Sequence, residues 1–268
     1  MNMAEWPDGP IWLIGCGTMG GAMLRRWLAA GLAPGQVTVI TRSGTGVPDE
    51  VRSLRSPPPD ETPAVLLLAV KPQQLSTVVP MVAALRPAVL VSILAGVEVA
   101  TLAALVPDAA VVRAMPNLPV AIGQGVTAVH AVAGERERAM VAALMTPLGL
   151  VEWIDDEARF DAVTALAGCG PAFLFRFVDA LAGGGAALGI PRDQAMRLAL
   201  ATVEGAATMA AQSSDPPGLL ADRVASPGGS TREGLNVLDR ASALERLLVE
   251  TLKAASDRNA ELAAAARQ

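Results

Sequence analysis

The chain has 268 residues, of which 52% are hydrophobic and 18% charged, and it carries a net charge of −5. This composition supports a sizeable core and excludes the basic surface that nucleic-acid binding requires. Charged residues such as Lys71 and Asp179 interrupt the apolar stretches, so we expect no membrane span, and the acidic start does not resemble a signal peptide. Two cysteines without metal-ligand spacing favour a cytoplasmic protein with no metal site.

The first motif is a glycine-rich turn between a strand and a helix. An apolar strand at 11–14 is followed by Gly15, Gly17 and Gly20 in the spacing G-x-G-x-x-G, and a helix then runs to Gly31. The first glycine permits a tight turn, the second lets the backbone approach a pyrophosphate, and the third allows close packing of helix on strand. Because a helix N-terminus attracts phosphate, this pattern predicts a dinucleotide site on a Rossmann-like fold.

The next strand, 37–41, indicates which dinucleotide binds. An NAD site places Asp or Glu at the end of this strand, where the carboxylate binds the ribose 2′-hydroxyl. This chain has Thr41, Arg42 and Ser43 there, and their guanidinium and hydroxyl groups can donate to a 2′-phosphate. We therefore expect NADP, with NADPH preferred over NADH, although Arg42 by itself also fits a surface loop.

The rest of the first half predicts a mainly parallel sheet. Residues 47–63 have room for one short helix before a proline-rich loop. An apolar strand follows in 64–74, and Pro72 lies in the first turn of the next helix. A second strand lies in 87–97, and residues 109–129 form a strand, a turn at 116–117 and an antiparallel return. A helix at 134–148 and a strand at 150–154 complete this half. Ligands bind at the carboxyl ends of strands in such folds.

From Asp161 onward the apolar residues follow a helical period. We expect helices at 161–188, 192–212, 216–224 and 231–265, with a kink in the first at 168–171, where two glycines and a proline occur. The apolar faces of these helices exceed what one small bundle can bury, which predicts a subunit interface.

The run S-P-G-G-S-T at 226–231 interrupts these helices and has two interpretations. It is either a tight turn with Ser230 or Thr231 as the N-cap, or an anion site. In the second case Gly228 and Gly229 let backbone N–H groups converge on a small carboxylate, and the hydroxyls donate as well.

Six segments together resemble the pyrroline-5-carboxylate reductase family, in chain order from residue 11 to 260. They read IGCGTMGGAM, LAVKPQ, RAMPNLPVAIGQGVTAV, VTALAGCGPAFLF, GIPRDQAMRLALATVEGAATM and VASPGGSTREGLNVLD. The resemblance implies an α/β fold, with a Rossmann-like NADP-binding domain at 1–158 and an all-α dimerisation and substrate-binding domain at 159–268. It also implies a homodimer, or a larger ring such as a decamer.

The resemblance further implies that NAD(P)H reduces the C=N bond of 1-pyrroline-5-carboxylate to L-proline. The implied substrate-binding residues are Ser226, Gly228, Gly229, Ser230 and Thr231, and the Thr231 hydroxyl is implied to reach the ring nitrogen as the catalytic group. The implied cofactor-binding residues are Gly15, Gly17, Thr18, Met19, Gly20, Arg42, Ser43, Ser56, Ala69, Val70, Lys71, Leu94 and Ala95.

The chain departs from the family at three positions: Ser56, Cys169 and Phe173 stand where the family commonly has Asn, Ser and Tyr. A reductase of a different cyclic imine and a non-catalytic NADP-binding regulatory protein therefore remain as alternatives. A β-hydroxyacid dehydrogenase shares the glycine turn, but it needs a lysine on the helix after the second glycine-rich stretch. The next lysine here is Lys253, which disfavours that class.

Overall fold

Strands of the first part of the chain form a single sheet. The structure is a computed structural model that describes residues 6–266, and within them the sheet has eight strands. They are β1 (Ile11–Ile14), β2 (Val37–Ile40), β3 (Arg52–Leu54), β4 (Val65–Leu68), β5 (Val89–Ser92), β6 (Ala110–Pro116), β7 (Gly125–Val132) and β8 (Gly149–Trp153). The outermost residues of the two predicted domains, 1–5 and 267–268, lie outside the described residues.

The strand order is β3-β2-β1-β4-β5-β6-β7-β8. Neighbouring strands are parallel except β6 and β7, which form the predicted antiparallel return. The chain runs outward from β1 to β3 on one side and then returns to β4 on the other side, so the order reverses between β1 and β4. Ligands of doubly wound sheets bind at this reversal, outside the carboxyl ends of the strands. The predicted α/β, Rossmann-like fold is confirmed.

The sheet is covered by apolar residues on both faces, which explains the continuous apolar runs of the central strands. In β1, Ile11 and Leu13 belong to one buried cluster, and Trp12 and Ile14 belong to the other. The same alternation holds in β4, because successive side chains of a strand point to opposite faces. Trp27 fills the first cluster, and its indole Nε1 donates to the Leu144 carbonyl at 2.6 Å.

The helices of this part are α1 (Thr18–Ala29), α2 (Leu75–Leu85), α3 (Val99–Ala103), α4 (Glu135–Met145) and α5 (Phe160–Val163). They agree with the predicted pattern except α3, which the sequence pattern did not predict. Gly31 has φ +100°, the left-handed conformation expected of a glycine just beyond a helix end. Pro72 begins a 3-10 turn that leads into α2, as its position in the sequence predicts.

The prediction of a short helix in 47–63 is wrong, because this segment contributes the edge strand β3 instead. The backbone N–H of Thr41 donates to the carbonyl of Leu54 at 2.9 Å and extends the pairing with β2. Three residues are too few to show a period-two pattern. β3 forms because the edge of β2 has backbone groups free to pair with it. Arg52 and Ser53 are exposed, as residues of edge strands commonly are.

The predicted interruption near 168–171 is a π-helix, Thr164–Gly168, in which the N–H of Cys169 donates to the carbonyl of Thr164 at 3.0 Å. Asn117 holds this segment against the β6–β7 hairpin. Its Nδ2 donates to the Ala167 carbonyl at 2.9 Å, and its Oδ1 accepts from the Val126 N–H at 2.8 Å. A buried amide thus connects the hairpin turn to the end of the sheet-containing unit.

The described chain divides into two units, residues 6–169 with 255–266, and residues 170–254. The second is helical, as predicted, and its helices are α6 (Gly170–Ala187), α7 (Arg192–Gln212), α8 (Pro217–Arg223), α9 (Ser230–Asp239) and the first part of α10 (Ala243–Ala266). Its own core is small: Val178 and Ala182 of α6 pack on Ala195 and Ala199 of α7. The predicted boundary at 158/159 stays a prediction.

The predicted single helix over 231–265 is wrong, because it is divided at Arg240–Ser242. Ala241 and Ser242 have φ of 50° and 54°, a conformation that costs roughly 1 kcal/mol or more for each residue that is not glycine. No glycine or proline marks the break in the sequence. The turn brings Leu238 of α9 and Leu248 of α10 to the lining of one groove of about 470 Å³.

Large apolar side chains remain exposed on the second unit, among them Phe175, Leu200 and Val249. In addition, the helical run 157–187 is long and apolar enough, by length and composition, to cross a membrane. The expectation that charges exclude every such run is therefore wrong for this segment. The charged residues Glu157, Arg159, Asp161, Arg176 and Asp179 lie within this run, but an 18-residue window of it contains at most two charges and keeps a high mean hydropathy.

An ion pair between a buried arginine and a partly exposed glutamate joins β6 to the segment before α5. The Arg113 side chain is 4% exposed, and its Nη1 donates to Glu157 Oε1 at 3.0 Å. The same oxygen accepts from the Val99 N–H at 3.0 Å, and the guanidinium lies 4.2 Å from the ring centre of Phe160. Glu157 thus neutralises a buried cation and caps the start of α3 at once.

We expect Glu157→Ala to lower the free energy of unfolding by about 3 kcal/mol, because it leaves the buried Arg113 guanidinium without its counter-ion. Urea unfolding monitored by circular dichroism would measure this change. As a control, Arg197→Ala breaks an ion pair with Asp193 in which both side chains are more than two-thirds exposed, and it should change stability by only about 0.5 kcal/mol. Equal effects of the two substitutions would contradict the assignment.

Candidate cofactor and carboxylate sites

The glycine turn after β1 has the local geometry that the sequence predicts. Gly15 has φ +90°, and a Cβ at this position would lie 2.7 Å from the carbonyl oxygen of Ala69. A Cβ on Gly17 would meet no atom within 4 Å, so the space in front of this residue is open to a ligand. A Cβ on Gly20 would lie 3.0 Å from the Ala69 Cβ, which shows how closely α1 packs on β4. A side chain is thus disfavoured at each of the three glycines for a different steric reason.

The N-terminus of α1 is open to an anion. Gly17 is its N-cap, no side chain caps the helix, and its first turn contains no acidic residue. The first N–H groups of a helix have no partner within the helix, and the helix dipole makes this end partly positive. A pyrophosphate fits both properties.

A cleft of about 580 Å³ lies at the carboxyl ends of β1, β2 and β4. Seven of the predicted cofactor residues line it together: Gly15, Gly17, Arg42, Ser43, Ala69, Val70 and Lys71. Its size is within the usual range for small-molecule sites. The turn, the end of β2 and the end of β4 therefore converge on one space, as the motifs predict.

Six predicted residues do not line this cleft: Thr18, Met19, Gly20, Ser56, Leu94 and Ala95. The Leu94 side chain is only 1% exposed and belongs to the core. Ser56 is exposed, but it is its neighbour Arg55 that lines the cleft. Arg55 was missed because the strand before it, β3, gives no signal of its own; recognising β3 would have placed its end beside that of β2.

The cleft is electropositive. Arg42, Arg55 and Lys71 line it, and no carboxylate does so within the described part of the chain. Ser43 and Thr45 line the same end, and the Ser43 hydroxyl accepts from the Thr45 N–H at 3.2 Å. An acidic residue for the ribose hydroxyls is absent from this lining, and the groups present are donors to a phosphate.

Cys16, within the glycine turn, also lines the cleft. Partial burial raises the pKa of its thiol, against the opposing effect of the nearby Arg25 guanidinium. Its Sγ donates to the Gly46 carbonyl at 3.6 Å. The thiol therefore stays protonated at neutral pH. It packs within the turn and forms a weak hydrogen bond, and it does not act as a nucleophile.

The loop 226–231 lies in the helical unit, immediately before α9. Gly228 has φ +71°, and the Gly229 N–H donates to the Ser226 carbonyl at 3.0 Å. A Cβ on Gly229 would lie 2.5 Å from the Ser226 Oγ and 3.1 Å from the Ser226 carbonyl oxygen, so a side chain there would force the Ser226 side chain to move. The tight turn that both sequence interpretations share is present.

The prediction of Ser230 or Thr231 as the N-cap is wrong. Gly229 is the N-cap of α9, and no side chain caps this helix. Ser230 and Thr231 occupy its first two positions, because the turn at Gly228 and Gly229 places the helix start one residue earlier than a hydroxyl cap would. The first free N–H groups of α9 and the exposed Thr231 hydroxyl thus stay available to a ligand.

Of the charged residues at the start of α9, Arg232 is paired, and Glu233 places a carboxylate in the first turn of the helix. The Arg232 Nη2 donates to the Asp222 carboxylate at 2.8 Å and ties α9 to α8. An anion at the start of α9 would therefore be held by N–H and hydroxyl groups, with the helix dipole as the source of positive potential.

Comparison with known proteins agrees with both halves of this description. A family model described as NADP oxidoreductase coenzyme F420-dependent matches residues 10–96, and one described as pyrroline-5-carboxylate reductase dimerisation matches residues 157–262. The second match includes the whole apolar run 157–187, and it indicates that the protein is an oligomer.

Similar proteins extend the match to nearly the whole chain. Pyrroline-5-carboxylate reductase of Pseudomonas aeruginosa is 41% identical over 204 residues, which are 74% of each chain. The enzyme of that name from Synechocystis sp. is 37% identical over 261 residues, covering 93% of this chain and 97% of the relative. The solved pyrroline-5-carboxylate reductase of Coxiella burnetii superposes with a TM-score of 0.86 at 28% identity, covering 96% of this chain and 99% of that one. This chain belongs to the pyrroline-5-carboxylate reductase family.

Proposed function

We propose that this protein reduces the C=N bond of 1-pyrroline-5-carboxylate to L-proline with NADPH, the final step of proline biosynthesis. The uncapped start of α9 behind the Ser226–Thr231 loop carries the proposal. A dinucleotide-binding fold by itself has no need of a second anion site. A small carboxylate substrate does need one, and the loop supplies N–H and hydroxyl donors without a competing cap.

The residues of the first unit suit NADP. The glycine turn and the start of α1 would hold the pyrophosphate, and Arg42 with Ser43 would hold the 2′-phosphate. When bound in the cleft, the nicotinamide of NADPH supplies a hydride. The backbone of Ala69, Val70 and Lys71 at the end of β4 would fix the ring plane, because these residues line the same space as the glycine turn.

The residues of the second unit suit the imine. The N–H groups at the start of α9 would orient the substrate carboxylate, and the Thr231 hydroxyl would hold the ring nitrogen. A protonated imine is already electrophilic, so transfer of a hydride to its carbon yields the neutral amine without an added acid. Alignment then provides much of the rate enhancement. The reaction suits a chain with one histidine and no tyrosine.

We further infer a homodimer that can assemble into a larger ring such as a decamer, in the cytoplasm, with domains at 1–158 and 159–268. The match of the dimerisation model to 157–262 supports the dimer. Because that match includes the apolar run 157–187, we assign the exposed side chains of this run to a subunit interface and not to a bilayer.

The purified protein should oxidise NADPH when 1-pyrroline-5-carboxylate is added, and kcat/KM should be higher with NADPH than with NADH. Arg42→Ala should mainly raise the KM for NADPH, because a contact to the 2′-phosphate stabilises the ground state and the transition state alike. Steady-state kinetics with both cofactors measure this. Values that are equal, or higher with NADH, would contradict the cofactor assignment. Turnover of another cyclic imine alone would contradict the substrate assignment.

Light scattering at assay concentration should show a dimer or a larger assembly as the active species. Phe175 on α6 is 61% exposed in the single chain, so Phe175→Asp should weaken assembly without disturbing a monomer core. An active monomer of the unmodified protein would contradict the proposal.

Thr231→Ala should lower kcat/KM for the imine by roughly 10- to 150-fold, since a hydrogen bond to a charged group contributes about 1.5 to 3 kcal/mol. NADPH affinity should stay unchanged, because the cofactor residues lie in the other unit. Thr251→Ala is the matched control: its exposed hydroxyl donates to the Leu247 carbonyl within α10, and its loss should leave kinetics intact. If Thr231→Ala reduced the imine as fast as the unmodified protein, the loop would be only a turn, with no role in binding.

A further inference from the structure

The edge strand β3 brings a second arginine to the cofactor cleft. Arg55 directly follows β3, and Arg42 follows β2 after one residue. Because the two strands are parallel and paired through the Thr41–Leu54 hydrogen bond, their carboxyl ends meet at one edge. Both arginines line the same end of the cleft.

Charge pairing sets Arg55 apart from Arg52 on the same strand. The Arg52 guanidinium binds both carboxylate oxygens of Glu61, at 2.7 and 2.9 Å, and this hydrogen bonding lowers the pKa of Glu61. Within residues 6–266, neither Arg42 nor Arg55 pairs with a carboxylate. Of the two arginines, only Arg55, which follows the strand at its carboxyl end, lines the cleft.

Two guanidiniums without counter-ions at one edge repel each other, and a dianion between them removes this repulsion. Arginine also presents the planar array of donors that fits phosphate oxygens. The hydroxyls of Ser43 and Thr45 line the same end and add donors of the appropriate kind. The chemistry of this corner is that of a phosphate site.

The position selects which phosphate binds. The glycine turn and the start of α1 lie at β1, where a pyrophosphate is expected. Strands are spaced about 4.8 Å apart, so β3, two strands away in the order β3-β2-β1, lies about 10 Å from β1. A dinucleotide held at the glycine turn extends its adenosine ribose toward the end of β2. The 2′-phosphate is the group that reaches this side.

We infer that Arg55 is a specificity-determining residue for NADP, which binds the 2′-phosphate together with Arg42, so that the two parallel strand ends clamp it from two sides. The inference rests on the proposed use of NADP, and it adds a residue from β3 to a site otherwise made by the end of β2.

The test is a set of dissociation constants for NADPH, NADH, 2′,5′-ADP and 5′-AMP, measured by calorimetry on the whole protein. Arg55→Ala should weaken the binding of NADPH and of 2′,5′-ADP by roughly 5- to 30-fold. This loss is smaller than that expected for a buried hydrogen bond to a charged group, because the Arg55 side chain is exposed. The dissociation constants for NADH and 5′-AMP should change by less than about twofold. Arg52→Ala, on the same strand but paired away from the cleft, should leave all four ligands unchanged.

An equal loss of NADPH and NADH affinity in Arg55→Ala, or no loss of either, would overturn the inference. So would equal affinity of the unmodified protein for NADPH and NADH. These measurements need no turnover. A protein that binds NADPH through Arg55 but does not reduce the imine would refute the proposed reaction and leave the role of Arg55 standing.

Discussion

The close approach of Gly15 to the end of β4 is the constraint on which the cofactor cleft depends. The Gly15 N–H donates to the Ile40 carbonyl of β2 at 2.9 Å, and the Ala69 N–H donates to the Ile14 carbonyl of β1 at 2.8 Å. Three strand ends are thus joined within one hydrogen-bond network. A side chain at Gly15 would lie 2.7 Å from the Ala69 oxygen and force these ends apart. The open space in front of Gly17 exists because this junction holds.

The two proposed anion sites share one feature, a helix start without a side-chain cap, and they lie in different units. Helices α1 and α9 each begin after a glycine N-cap with no side-chain cap. A serine or threonine cap would stabilise either helix by about 1 kcal/mol, but it would occupy the N–H groups that a ligand needs. Local stability is lower at both helix starts than it could be, as is common where backbone groups bind ligands. Because the donors are backbone groups, few side chains identify these sites.

The sequence predicted the elements with strong local signals and missed those determined by tertiary contacts. The glycine turn, the β6–β7 return and the break near 168–171 have glycines, prolines or clear periodicity, and they are found where expected. Strand β3 has only three residues, and the break at 240–242 contains no glycine or proline. The error at β3 also hid Arg55, because a residue can be assigned to a strand end only after the strand is recognised. Ser56 was predicted from its position in the family pattern, and that position did not identify Arg55 as the residue that lines the cleft.

The two proposed sites use different residues, and this bears on how such a chain can change. The proposed 2′-phosphate site uses charges at the ends of β2 and β3, where Arg52 is neutralised by Glu61 and Arg55 is not. The proposed carboxylate site uses the turn at Gly228 and Gly229, next to which Arg232 is held by Asp222. The two sets share no residue and no ion pair, so their free-energy contributions should be nearly additive. A substitution at the sheet edge can then alter phosphate discrimination without weakening the hold on a carboxylate, because no charge is common to both.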